Sequence, residues 1–161
     1  MTTAEFNRCV DLHSDAVYRF ILKNIRNEDK AGDVVQESFT KMWEKVKEIP
    51  FDKARSYLFT TAYHTMIDSI RKENRMTVFE EHKHDRDTVE NGYSDLKEIL
   101  DQAVARLPSI QRSVLLLRDY EGYSYEEIGE MTNLNESQVK VYIFRARVYL
   151  KNYIKSLDIV I

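Results

Sequence analysis

The C-terminal part of the chain carries paired helix caps, a turn residue and a row of basic side chains. Ser124 and Glu127 have the spacing of a capping box, in which each side chain accepts a hydrogen bond from the other residue's backbone amide. Asn133 is one of the few residues besides glycine that tolerate the left-handed conformation at a helix end. Asn135 and Gln138 repeat the capping pattern. This order is typical of a helix-turn-helix, whose second helix inserts into the major groove of DNA.

The second helix of this pair has one apolar face and one partly basic face. Val139, Ile143, Ala146 and Leu150 recur at helical spacing, which predicts that they face the core. Gly129, in the preceding helix, has no side chain and therefore allows a crossing helix to approach closely. The side chains predicted to contact DNA, on the opposite face or further toward the C-terminus, are Lys140, Val141, Phe144, Arg145, Arg147 and Lys151.

These side chains suit two kinds of DNA contact. Lys140 and Arg145 can donate hydrogen bonds to guanine acceptors, while their apolar neighbours can contact a thymine methyl group or a sugar. Arg147 and Lys151 are better placed for phosphates, which add affinity without sequence information. The alternative interpretation is the solvated basic face of an ordinary helix. The capped turn that precedes the helix favours DNA binding.

The composition predicts a helical protein without an enzymatic centre. Apolar residues make up 43% of the 161 residues and charged residues 32%, with 4 glycines and 2 prolines, so helices joined by short turns are expected. The chain has no glycine-rich phosphate loop and no nucleophile in a strand-turn-helix context, and its carboxylates are dispersed. We therefore expect no catalytic residue, no cofactor and no small-molecule substrate.

Cysteine content, hydropathy and charge further limit the kinds of site and the compartment that the sequence allows. Cys9 is the single cysteine, which excludes an intramolecular disulfide and a cysteine-based zinc site, so no metal is expected. The chain lacks a basic-then-apolar leader and any apolar run near the ~20 residues that span a bilayer, which predicts a cytoplasmic protein. The net charge is −3, yet residues 76–98 alone carry −4 and the basic residues concentrate on particular helices.

Three helical patterns precede residue 76. The second is expected to span about residues 31–46, with Trp43 among its inward side chains, after a polar break over residues 27–30. Pro50 stops this helix because its ring cannot continue a hydrogen-bonded turn. A third pattern starts near Asp52 and ends in a basic cluster.

The chain thus divides into three segments. Residues 1–75 form a helical module, and residues 95–161 form a second module that ends in the helix-turn-helix. Residues 76–94 are acidic and lack apolar periodicity, which is typical of a flexible linker because such a segment cannot offset the entropy of ordering. The predicted fold class is all-α, with two small helical modules joined by a flexible acidic linker.

Two sets of residues, one in each module, form recognisable motifs. The first set is Asp33, Val34, Val35, Gln36, Glu37, Phe39, Trp43, Arg55, Tyr57, Leu58, Phe59, Thr60, Ala62, Ile67, Asp68 and Arg71. The second set is Leu107, Pro108, Gln111, Arg112, Val114, Leu117, Arg118, Tyr123 to Ile128, Val139, Lys140 and Phe144 to Arg147. In this order they resemble regions 2 and 4 of the extracytoplasmic-function sigma factors, the small bacterial sigma subunits of RNA polymerase.

The resemblance implies a role for each surface. The second module would recognise the minus-35 promoter element, and the first would melt the minus-10 element, which requires a polar pocket with cations beside it. The minus-10 residues implied are Arg55, Thr60, His64, Asp68, Arg71 and Lys72. The residues implied to bind the polymerase are Asp33, Gln36, Glu37 and Lys41. The implied partners are core RNA polymerase, promoter DNA and an anti-sigma factor.

Two other functions are consistent with parts of this pattern. A stand-alone helix-turn-helix regulator would use the N-terminal module to sense a ligand or partner, and a third kind of protein would only sequester another factor. A sigma factor is expected to bind core polymerase stably and DNA weakly on its own. The stand-alone regulator is expected to do the reverse.

Overall fold

The computed structural model describes residues 1–76 and 96–160, and every regular element within these ranges is helical. This confirms the all-α class. The predicted linker, residues 76–94, lies outside the described residues except for Met76, which ends a helix. The helices are α1 (Thr3–Ile25), α2 (Glu28–Glu44), α3 (Ala54–Met76), α4 (Leu96–Ala105), α5 (Ser109–Leu115), α6 (Tyr125–Thr132) and α7 (Glu136–Val160).

Helices α1 to α3 form the first module. A capping box begins α1, because Thr2 accepts from the amide of Glu5 while the Glu5 carboxylate accepts from the amide of Thr2. The helix ends where Arg26 adopts a left-handed conformation, with φ 55°. The Asn27 side chain then accepts from the amide of Lys30, so α2 starts earlier than expected. The polar residues predicted to be a break therefore form the first turn of a helix.

The connection between α2 and α3 consists of two short 3-10 turns. These turns, Val46–Glu48 and Phe51–Lys53, lie on either side of Pro50. Pro50 was predicted to stop the second helix, but α2 already ends at Glu44. Trp43 was predicted to face inward, and this was wrong because its side chain is 46% exposed. Met42 takes the buried position in this last turn, and the Trp43 ring covers only the edge of the protein, 5.0 Å from the Phe6 ring.

Helices α4 to α7 form the second module. Helix α5 runs into a π-helical turn, Leu116–Tyr120, and Gly122 then reverses the chain with φ 81°. The predicted helix-turn-helix is confirmed as α6 and α7, which are separated by only the three residues 133–135. Among the helices that the structure describes, none combines the length and the hydropathy that a membrane span requires.

The two modules pack against each other and share one hydrophobic core. The ring of Phe59 in α3 lies 5.5 Å from that of Phe20 in α1 and 5.6 Å from that of Tyr123 in the second module. Between the same two modules, the buried hydroxyl of Ser113 donates to Asn24 Oδ1 at 2.7 Å. Buried polar groups require such partners, so this hydrogen bond orients one module on the other.

Candidate nucleic-acid interface

The local geometry of the helix-turn-helix follows the predicted signals closely. Ser124 Oγ accepts from the amide of Glu127 at 3.1 Å, and the Glu127 carboxylate accepts from the amide of Ser124 at 2.8 Å. Asn135 and Gln138 form the same reciprocal pair at 2.8 and 3.0 Å. Asn133 is left-handed, with φ 60°. These side chains satisfy backbone amides that a helix start leaves unpaired.

Gly129 sets how closely the turn approaches α6. A Cβ atom on this glycine would lie 2.7 Å from the Leu134 carbonyl oxygen and 3.8 Å from a methyl group of Val139. The first distance is a clash with backbone. The absence of a side chain at this position therefore allows the turn, and with it α7, to pack against α6.

Helix α7 buries the predicted apolar face and exposes the other. Val139, Ile143 and Ala146 are at most 1% exposed, while Phe144 is 67% exposed and Val141 is 44% exposed. Val141 and Phe144 are three residues apart, so they lie on the same side of the helix. Lys140, Arg145 and Lys151 are exposed on the same helix. That these side chains bind DNA remains a prediction.

Two basic residues near this face have partners within the second module. The Lys140 ammonium lies 3.3 Å from the Glu136 carboxylate and 5.5 Å from the ring of Tyr125. Arg147 binds the Asp119 carboxylate with both its Nε and its Nη2 atoms, and this hydrogen bonding raises the pKa of the guanidinium. Arg147 was predicted to contact DNA. In this structure it ties α7 to the π-helical turn, which shows a structural role that the sequence analysis missed.

The predicted minus-10 residues of α3 form a continuous stripe. Thr60 and His64 are half-buried, and Asp68, Arg71 and Lys72 are exposed further along the same side of the helix. Arg71 Nη1 lies 3.9 Å from the Asp68 carboxylate. The structure thus brings five of the six predicted residues together on one accessible surface.

Arg55, the sixth, occupies a different environment. Its guanidinium donates to Glu121 Oε1 at 3.1 Å and lies 4.7 Å from the centre of the Phe59 ring and 4.9 Å from that of Tyr123. Arg19 in α1 also donates to Glu121, at 3.1 and 3.2 Å, and the Glu121 side chain is only 2% exposed. Arg55 therefore contacts the second module, at the junction between the two modules.

Two groups at this junction have shifted pKa values. Burial raises the pKa of the Tyr123 hydroxyl, although the positive charge of Arg55 partly offsets this. Burial also lowers the pKa of His13, and the charge of Arg55 lowers it further. No group of three or more His, Cys, Asp or Glu side chains that could hold a metal ion occurs among the described residues.

The residues predicted to bind the polymerase lie along α2. Asp33, Gln36 and Glu37 are exposed in a row. Lys41 is half-buried, lies 3.2 Å from the Glu37 carboxylate and donates to the Thr65 hydroxyl at 3.0 Å. Lys41 therefore marks the edge of this surface, where α2 meets α3.

Comparison with known proteins identifies the family. The model described as Sigma-70 region 2 matches residues 9–76, and the model described as Sigma-70, region 4 matches residues 97–150. RNA polymerase sigma factor SigV of Bacillus subtilis is 30% identical over 156 residues, which cover 90% of this chain and 88% of SigV. The ECF RNA polymerase sigma-E factor of Haemophilus influenzae is 29% identical, over 94% and 88% of the two chains. The chain belongs to the extracytoplasmic-function group of the sigma-70 family of RNA polymerase sigma factors.

The fold agrees with this assignment. The sigma factor RpoE from Bartonella quintana, solved in complex with the anti-sigma factor NepR, superposes with a TM-score of 0.80 at 23% identity, covering 93% of this chain and 96% of RpoE. CnrH, solved with the cytosolic domain of CnrY, gives a TM-score of 0.66 at 21% identity, covering 94% of this chain and 88% of CnrH. The predicted family and fold class are both confirmed.

Proposed function

We propose that this alternative sigma factor directs core RNA polymerase to promoters through a division of labour between its modules. Residues 95–161 recognise the minus-35 element, and residues 1–75 bind the polymerase and melt the minus-10 element. Residues 76–94 join the two modules. The protein acts as a specificity subunit and carries out no bond chemistry of its own. Its partners are core polymerase and promoter DNA, so it works in the cytoplasm, where both are found.

The observation that carries the proposal is the exposed face of α7. Helix α7 begins at the reciprocal cap of Asn135 and Gln138. It packs against the core through Val139, Ile143 and Ala146, and it presents Phe144 and Arg145 outward. Arginine and apolar side chains on one face suit the base edges and methyl groups of the major groove. The geometry of α6 and α7 is that of a helix-turn-helix, which places such a face against DNA.

The first module supports the second half of the proposal. The stripe from Thr60 to Lys72 combines hydroxyl, imidazole, carboxylate and cationic groups on one side of α3. Such a surface can bind unpaired bases by hydrogen bonds and the displaced strand by charge. The exposed carboxylates of α2, Asp33 and Glu37, supply a separate surface for the polymerase. An anti-sigma factor would hold the protein inactive by covering these surfaces.

Reconstituted transcription tests this function. Purified protein added to core polymerase is expected to form a stable complex and to yield specific transcripts from the promoter upstream of its own operon. The free protein is expected to bind the same promoter duplex weakly. Tight promoter binding without polymerase, or no complex with core enzyme, would contradict the proposal.

A further inference from the structure

The junction between the modules contains a buried acidic residue held by two arginines. Glu121 follows the π-helical turn of the second module, and its carboxylate accepts hydrogen bonds from Arg19 and Arg55 of the first. The Arg55 guanidinium lies over both the Phe59 and the Tyr123 rings, whose centres are 5.6 Å apart. All of these contacts with Arg55 are intramolecular, so this cation is occupied as long as the modules are packed together.

We propose that Glu121 is an intramolecular latch that holds the free protein in a closed state by occupying Arg19 and Arg55. A carboxylate bound by two guanidinium groups resembles a nucleic-acid phosphate bound by the same groups. Opening of the junction releases both arginines, and Arg55 joins the stripe on α3 that contacts the melted strand. This inference rests on the proposed function, because only then does Arg55 have DNA as a competing partner.

The distance between promoter elements explains why the junction must open. Elements named minus-35 and minus-10 lie about 25 base pairs apart, which corresponds to ~85 Å at 3.4 Å per base pair. A compact chain of 161 residues has a radius of gyration of about 15 Å, and hence a diameter of about 40 Å. The closed state therefore cannot place α7 and α3 on both elements at the same time.

Glu121 is the most buried of the three charged side chains in this cluster. Its side chain is 2% exposed, whereas those of Arg19 and Arg55 are 47% and 34% exposed. Loss of the carboxylate leaves two positive charges facing each other at the junction with no counter-charge, which disfavours the closed state. The arginines are readily solvated when the modules separate. Loss of the Glu121 carboxylate therefore changes the free energy of the open state little.

The substitution Glu121→Gln tests the latch in the full-length protein. Small-angle X-ray scattering is expected to show a radius of gyration clearly larger than that of the wild type. Binding to a 20-nucleotide oligothymidylate, measured by fluorescence anisotropy, is expected to tighten about tenfold, which is the size expected for losing a charge-assisted hydrogen bond from the competing state. The slope of log K against log salt is expected to steepen by about 0.7 for each phosphate that a freed arginine neutralises.

Matched variants separate the latch from a general charge effect. Glu130→Gln removes an equal charge from an exposed position of α6 and is expected to leave the radius of gyration unchanged. Arg55→Gln is expected to expand the protein like Glu121→Gln but without the gain in oligothymidylate affinity. Arg19→Gln removes one of the two arginines that bind Glu121, and this side chain is more exposed than that of Glu121. This variant replaces Glu121→Gln if circular dichroism shows that Glu121→Gln has a reduced helix content.

The outcomes are distinct. An unchanged radius of gyration in both Glu121→Gln and Arg19→Gln would overturn the latch. In a second outcome, Glu121→Gln expands while its oligothymidylate affinity and salt slope stay equal to those of Glu130→Gln. That result would overturn the proposed competition between Glu121 and DNA for Arg55. Neither measurement contains polymerase. A latch that behaves as expected in a protein that fails to bind core enzyme would therefore contradict the proposed function alone.

Discussion

Arg145 and Lys151 lie on the same helix, but their positions predict different effects on promoter binding. Arg145 is in the middle of the exposed face of α7, beside Phe144, whereas Lys151 lies more than a turn further from the helix start. Arg145→Ala is expected to reduce transcription only from promoters with the native minus-35 element. The expected loss of binding free energy is the ~1–3 kcal/mol of a bidentate base contact. Lys151→Ala is expected to weaken binding to all sequences alike and to reduce the salt slope by about 1.

The measurement is competition between promoters that differ only in the minus-35 element, with holoenzyme reconstituted from each variant. Equal losses for every promoter with both variants would contradict this division between base and phosphate contacts.

His13 predicts a pH dependence of stability. Burial and the charge of Arg55 both lower its pKa below the ordinary 6.5, so the folded protein favours the neutral imidazole. The unfolded chain binds more protons in this range, and stability therefore rises with pH. The contribution of neutral His13 is fully present above pH 6.5 and is lost as the pH falls through the lowered pKa of the folded state.

Urea denaturation of wild type and His13→Gln between about pH 7.5 and 5 measures this effect. The wild type is expected to lose stability more steeply than the variant as the pH falls. Identical pH dependences would show that His13 is not responsible.

At the scale of the element, two glycines in helices predict opposite outcomes. Gly129→Ala places a Cβ 2.7 Å from the Leu134 carbonyl oxygen, so the turn must move. We expect a loss of about 1–3 kcal/mol in the free energy of unfolding from overpacking, together with loss of minus-35 recognition. Gly32→Ala meets nothing within 4 Å, and is expected to stabilise the exposed side of α2 by up to about 1 kcal/mol.

Chemical denaturation of both variants makes this comparison, since each adds the same methyl group to a helix. A stabilised Gly129→Ala that retains minus-35 recognition would show that the close approach of α6 and the turn is not required.

At the scale of the whole molecule, the buried hydrogen bond between the modules predicts coupling of their stabilities. Ser113→Ala leaves Asn24 Oδ1 without the donor that it has at 2.7 Å. The expected cost is about 1–3 kcal/mol, the desolvation of an unpaired polar group. Ser137→Ala changes an exposed serine of α7 and is the matched control.

Calorimetry distinguishes coupled from independent modules. The wild type is expected to unfold in one cooperative transition because its core is shared, and Ser113→Ala is expected to lower the transition temperature of that single event. A decrease confined to one of two separate transitions would contradict the shared core.

The sequence alone determined the features that depend on neighbours in the chain. The caps at Ser124 and Asn135 and the left-handed Asn133 arise from contacts within a few residues, and the buried face beginning at Val139 follows from helical spacing. The structure confirmed each of them. Helical spacing likewise predicted that five residues share one side of α3, namely Thr60, His64, Asp68, Arg71 and Lys72. Motif order was sufficient to identify the family, which the comparisons confirmed.

Only the tertiary structure decided which charged residues face each other. Arg55 meets Glu121, 66 residues away, and Arg147 meets Asp119, 28 residues away. No helical or turn spacing connects such positions, because the pairing depends on how separate helices pack. The same holds for Trp43, whose spacing fits a buried face but whose side chain is 46% exposed, because Met42 takes the buried position in the same turn. Local physics therefore specified the helix that is predicted to face DNA, and long-range packing decided which charged side chains of this sigma factor pair with each other.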